Sequence, residues 1–205
     1  MGARGNIEHV VVLMLENRSF DSMLGALYPG RAGFEGLSGR ESNSYVRADG
    51  RRIDVPVWNK AGMTAASATI PDPDPGEAFT DITQQLFGAG GATAEPPPMS
   101  GFVANYVTQP AADGATLDPG AVMHYFTPQQ VPVISTLAEA FGVCDQWYAS
   151  APCQTWPNRF FAHSATCAGY VDNKNFPLPY TRPTIFHRLQ ESGKSWRVYF
   201  HDVPQ

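Results

Sequence analysis

The sequence predicts an α/β fold with a mainly parallel sheet flanked by helices, and three observations carry that expectation. A continuous β-branched and aliphatic run, IEHVVVLML at 7–15, has no helical stripe, which is how a strand buried on both faces reads. Helical patterns that stop near a glycine are followed by short apolar segments at 132–148 and again at 183–200. The chain has 205 residues, enough to bury one sizeable core, so one domain is expected rather than two.

Taken in order, the first strand at 7–15 breaks into the polar residues Glu16, Asn17, Arg18 and Ser19. Phe20, Met23 and Leu24 then fall at helical spacing, and Gly25 is placed to stop a short helix. From 28 to about 120 the chain is rich in Gly, Pro and Asp, with PDPDPG at 71–76 and GAGGATAEPPP at 88–98. That composition predicts a loop-rich insertion with one small helix near 82–87 and a β-hairpin near 45–57. Pro132 opens a helix over 132–141 whose apolar face is Val133, Ile134, Leu137 and Phe141, with Gly142 as its cap. A second strand is expected at 143–148, a helix opening at Pro157, a helix over 183–192 ended by Gly193, and a last strand at 196–201.

Charge and composition exclude several classes. Asp and Glu number 19 against 14 Lys and Arg, for a net charge of −5, which argues against a nucleic-acid groove held by phosphate contacts. The longest purely apolar stretch, 10–15, is far shorter than the roughly 18 residues a membrane-crossing helix needs. Residues 1–9 hold no apolar signal segment, so a cytoplasmic location is expected, with export if the N-terminus is incomplete. Cys144, Cys153 and Cys167 form no CxxC pair and read as buried free thiols.

Ligands gather at the carboxyl ends of strands in open α/β sheets, and Glu16-Asn17 and Cys153-Gln154-Thr155 are both expected there. The Glu16 carboxylate and the Asn17 amide oxygen are hard donors suited to a divalent cation, or else polar residues that cap the next helix. Thr155, two residues before Pro157, lies near a helix N-terminus where an anion is favoured, or is an ordinary N-cap hydroxyl. Asn158 and Arg159 follow on the first turn, and the Arg159 fork either binds phosphate oxygens or pairs with a loop carboxylate. Asp72, Asp74 and Glu77 form either a metal loop or a set of Asp-Pro turns, and His201-Asp202 ends the last expected strand. His9 reads as structural and His163 as a packing residue of its helix, while His124 and His187 fall on an expected loop and helix face. A GxSxG elbow, a P-loop and a dinucleotide fingerprint are all missing, so lipase-type hydrolysis, nucleotide triphosphate binding and hydride transfer lose support.

Four segments carry a family resemblance: IEHVVVLMLENRSFDSMLG (7–25), VMHYFTPQQVPVISTLAEAF (122–141), VCDQWYASAPCQTWPNRFFAHSAT (143–166) and GKSWRVYFHDVP (193–204). The chain resembles the phosphoesterase family that includes bacterial phosphatidylcholine-hydrolysing phospholipases C, plant non-specific phospholipases C and a group of acid phosphatases. ENRSFD followed at this distance by TxPNR is highly specific. The resemblance implies an alkaline-phosphatase-like α/β fold and one divalent metal ion, Ca, Mg, Mn or Zn, held by Glu16, Asn17 and Thr155. It also implies a phosphoester substrate, phospholipid among the options, with transient contact at a membrane surface. Thr155 is implied as the nucleophile, with Asn158, Arg159 and Glu77 at the phosphate. Two positions depart from the family pattern: Ser22 stands where a His usually follows the ENRSFD core, and Glu77 replaces the His of DPGH.

The expected chemistry is in-line attack by Thr155 on phosphorus, giving a phospho-threonine that water hydrolyses. A free Thr hydroxyl is hardly ionised at neutral pH, and coordination to the metal lowers its pKa. Family members are longer, so residues 1–205 are expected to be the N-terminal part of a single catalytic domain, nearly silent on its own. The competing reading is a non-catalytic remnant or an anion-binding module.

Overall fold

A computed structural model describes residues 7–15, 18–64, 68, 71–90, 94–111, 116–174 and 180–200. Six α-helices and one hairpin order the described chain: α1 (Phe20–Leu24), β1 (Ser42–Val46), β2 (Arg52–Pro56), α2 (Phe79–Phe87), α3 (Phe102–Tyr106), α4 (Pro132–Ala140), α5 (Thr155–Ser164) and α6 (Ile185–Glu191). The content is mixed helix and strand. Among the described residues there is one sheet, two-stranded and antiparallel, with Ser42 opposite Pro56 and Val46 opposite Arg52. The hairpin starts three residues before the expected Tyr45, and Gly50 at φ 82° turns the chain where Arg47 N–H meets Arg51 O at 2.8 Å.

The expected mainly parallel sheet does not form among the described residues. Segments 7–15, 143–148 and 196–200 carry no strand, and most of their side chains are exposed, Val11 at 90% and Tyr199 at 82%, while Met14, Val143 and Asp145 are half-buried. The physical reason is that β-branched composition reports fitness for a pleated, covered surface, while a strand also needs a neighbour to bond its backbone. None of the three segments has a ladder partner among the described residues.

Two small packing centres hold the helices. Leu24 and Leu27 beside α1 pack on Ala138 of α4, with Phe20, Met23, Phe34 and Ile134 around them. In the other, α3 buries Val103, Asn105 and Tyr106 against β1 and α2. Asn43 of β1 accepts the Val103 N–H at 3.1 Å and donates to Met99 O at 2.9 Å, so a buried amide locks the hairpin to α3. Gly101 permits the close approach of α3 to α2, since a Cβ there would collide with the Gln84 carbonyl. Asn105 is 1% exposed and gathers Asp81, Gln84 and Gln85 around its carboxamide at 2.9–3.0 Å.

The insertion closes at its base. Trp58 and His124 form an isolated parallel bridge, Trp58 Nε1 donates to Gly120 O at 2.7 Å, and the two rings meet edge to face at 4.6 Å. Phe126 N–H donates to Ser22 O at 2.8 Å, which fixes the 121–126 segment against α1. No helix of the described residues is long and apolar enough to cross a membrane.

Candidate functional site

Helix α5 opens at Thr155, two residues earlier than the expected start at Pro157. Gln154 is the N-cap, Thr155 is N1 and the buried Pro157 is N3, where the missing N–H costs nothing because the first turn has no internal acceptors. This shift decides what Thr155 is. Its hydroxyl is not a cap: α5 has no side-chain cap bond at Gln154, and Thr155 Oγ1 has no hydrogen-bond partner among the described residues. A half-buried hydroxyl is thereby left at the head of a ten-residue helix.

The neighbours of Thr155 are held firmly. Trp156 N–H donates to Asn173 Oδ1 at 2.9 Å, and Asn173 N–H donates to Gln154 Oε1 at 2.6 Å. Asn158 clamps the loop that precedes the helix. Its Oδ1 accepts from Ser150 N–H at 3.1 Å and its Nδ2 reaches Cys153 O at 2.8 Å and Ala151 O at 3.2 Å. A cleft of about 290 Å³ lies there, lined by Trp147, Tyr148, Ser150, Asn158 and Phe161. Tyr148 donates its hydroxyl proton to Glu35 at 2.6 Å, and Asp145 accepts the Glu35 N–H at 2.8 Å. Burial pushes the Cys153 thiol up, with Cys167 adding to it.

Arg159 reaches back to the N-terminal motif, its Nη1 lying 3.7 Å from Met14 Sδ. Arg18, within the same motif, sits over the Phe126 ring at 5.4 Å. His163, one turn beyond Arg159, is held below its ordinary pKa by burial and by the Arg159 charge, and packs its ring on Phe186 at 5.4 Å.

The expected site residues therefore divide. Thr155, Asn158 and Arg159 share the first turns of α5. Glu16 and Asn17 lie outside the described residues, as do His201 and Asp202. Glu77 immediately precedes Ala78, the N-cap of α2, and no hydrogen bond or ion pair joins it to Thr155 or Asn158 among the described residues. No group of three His, Cys, Asp or Glu residues is arranged to hold a metal ion among the described residues. The three thiols are free, as expected, but only Cys153 is buried; Cys167 is half-buried and Cys144, in the 143–148 segment that forms no strand, is exposed. Asn173 escapes sequence reasoning, since it belongs to no motif or apolar period, and the part Gln154 plays beside Thr155 is not visible from its place in the motif.

Residues 7–205 match the model of the Phosphoesterase family, and the chain belongs to that family. It is 37% identical over 206 residues to non-specific phospholipase C1 of Arabidopsis thaliana, covering 98% of this chain and 36% of that protein. Non-specific phospholipase C6 of the same plant is 35% identical over 201 residues, and phospholipase C A of Mycobacterium tuberculosis (strain ATCC 25618 / H37Rv) is 29% identical over 214. The chain spans little more than a third of the length of these relatives.

Proposed function

We propose that this chain carries the nucleophile of a metal-dependent phosphoester hydrolase of the phospholipase C type, with Thr155 Oγ1 attacking phosphorus. The observation that carries the reading is the uncommitted Thr155 hydroxyl at the first position of α5, in a family whose relatives are named phospholipases C. Oγ1 forms a bond to phosphorus as the ester oxygen departs opposite it, and the hydroxyl proton passes from Thr155 through solvent to that departing oxygen, which leaves as an alcohol. Water then breaks the new P–O bond, restoring the hydroxyl and releasing the phosphorylated head group or phosphate. Arg159 supplies a guanidinium for the phosphoryl oxygens, Asn158 acts through its hold on the 150–154 loop, and Glu77 faces the phosphate where the family usually has a His. An alkaline-phosphatase-like fold completes this reading, supported by family membership.

One divalent cation fits the donor set of one carboxylate (Glu16), one amide oxygen (Asn17) and the Thr155 hydroxyl, all hard oxygens. The one of these among the described residues, Thr155, has its oxygen free to coordinate. When bound, the ion would lower the hydroxyl pKa and offset phosphoryl charge. The test is hydrolysis of a p-nitrophenyl phosphoester by the purified protein with divalent metal, alongside Thr155→Ala and Thr155→Ser. Thr155→Ala should lose at least about a thousandfold in turnover and form no phosphoenzyme, whereas Thr155→Ser keeps part of the rate. Near-normal turnover in Thr155→Ala would transfer the attack to a water molecule and overturn the assignment.

A further inference from the structure

We infer that Asn173 is a positioning residue for Thr155, an inference that rests on Thr155 being the nucleophile. After α5 ends, Ala165 takes a left-handed conformation at φ 59° and the chain runs back toward the start of the helix. Three hydrogen bonds then staple it there. Gln154 N–H donates to Val171 O at 3.3 Å, Asn173 N–H donates to Gln154 Oε1 at 2.6 Å, and Trp156 N–H donates to Asn173 Oδ1 at 2.9 Å.

The pattern is reciprocal. A side chain beside Thr155 takes the backbone of residue 173, and the side chain of residue 173 takes a backbone amide on the other side of Thr155. Residues 154 and 156 are therefore both tied to 171–173, while Thr155 between them keeps its hydroxyl unspent. Asn173 is itself exposed, so water could satisfy the Trp156 N–H if the side chain were cut back. What water could not supply is the fixed direction. The Asn173 turn is held by Lys174 N–H on Asp172 Oδ1 at 2.9 Å, and this anchors the peptide planes flanking Thr155. A nucleophile displaced by about 1 Å can lose on the order of a hundredfold in rate, far more than an exposed cap matters to folding.

The experiment compares Asn173→Ala, Asn173→Asp and Gln154→Ala with the unaltered protein on a p-nitrophenyl phosphoester, reading kcat, KM and phosphoenzyme formation. Amide exchange of the 150–160 peptide is read in parallel. Asn173→Ala should lower kcat by about 30- to 100-fold with KM within about twofold, and speed exchange at Trp156. Asn173→Asp keeps an acceptor oxygen and should recover kcat to within about fivefold, while its added charge raises KM for an anionic ester. Gln154→Ala should fall between them. If Asn173→Ala keeps kcat within about twofold, or Asn173→Asp loses as much as Asn173→Ala, the inference is overturned. Should Asn173→Ala fail to fold, Asn173→Asp and Gln154→Ala decide it by the same limits. If Thr155→Ala abolishes turnover and Asn173→Ala does not lower it, only the positioning role falls; if Thr155→Ala stays active, the nucleophile reading falls and takes it along; where the unaltered chain turns over too little to compare, unchanged exchange at Trp156 in Asn173→Ala overturns the positioning role.

Discussion

Arg159 places a guanidinium nitrogen 3.7 Å from the sulfur of Met14, a residue 145 positions earlier in the chain. The contact joins the two most specific motifs of the sequence, since Met14 precedes Glu16 by two residues and Arg159 lies one turn past Thr155. It is a weak bond, because a thioether is a poor acceptor. Its weight lies in what it brings near: the run that leads into the expected carboxylate and amide donors ends beside the helix that carries the hydroxyl.

Glu16→Ala should weaken metal binding before it alters the chemistry. Activity should disappear on chelation and return with added divalent ion, and the variant should need at least about tenfold more metal for half-maximal rate, roughly 1.4 kcal/mol of affinity. A metal titration of activity in both proteins checks this, and an unchanged midpoint would return Glu16 to a helix-capping role.

Asn158→Ala should loosen the 150–154 loop. The carboxamide serves three carbonyls and two N–H groups, and its removal leaves partly buried backbone groups without partners, at a cost of about 1–3 kcal/mol. Urea unfolding should show a lower midpoint at constant slope, and limited proteolysis should cut first between 149 and 154.

Gly101→Ala should lower stability by about 1–3 kcal/mol, because the added methyl meets the backbone of α2 rather than a side chain that can swing away. For a chain of this size each kcal/mol moves the midpoint by roughly 2–4 °C, so a thermal melt resolves it. The φ of −108° at Gly101 is ordinary, so packing and not backbone strain carries the effect.

Stability should fall as pH drops below about 6.5. His124 is held below its ordinary pKa by burial and then by Arg18, and His163 by burial and then by Arg159. In the unfolded chain both take up a proton near their ordinary pKa while the folded groups stay neutral, so the unfolded state binds more protons between the two values. Stability therefore rises with pH across that window and is flat above it, with a slope of at most about 1.4 kcal/mol per pH unit for each histidine. Denaturation midpoints at pH 5, 6, 7 and 8 should show the loss on the acid side, and His163→Phe should reduce it.

Local signals in the sequence were legible wherever a helix or turn could satisfy itself. Pro132 opens α4 and the Gly50 turn makes the hairpin, and α6 is capped where Thr184 meets His187 Nδ1 at 3.1 Å. The three apolar runs were not legible as strands in this sense, because a strand depends on a neighbour that the run itself does not specify. The motif singles out Thr155 in the sequence, while the start of α5 falls two residues before the expected Pro157, because proline is tolerated anywhere in the first turn. Asn173 could not be read at all. Its place depends on Ala165 adopting a positive φ and sending the chain back along α5, a choice that no alanine announces.

The bridge between Trp58 and His124 bears on how the chain tolerates change in length. Because the 59–123 excursion is pinned where it leaves and where it returns, lengthening it acts mainly through the entropy of closing a loop, about 0.6 kcal/mol for each doubling. Extra residues in its outer turns would leave the register of 124–126 against α1 intact, and with it the path that leads onward to α5. The excursion is thus a place where new surface can be grafted at small thermodynamic cost, while the tryptophan and histidine at its neck are the positions that cannot drift.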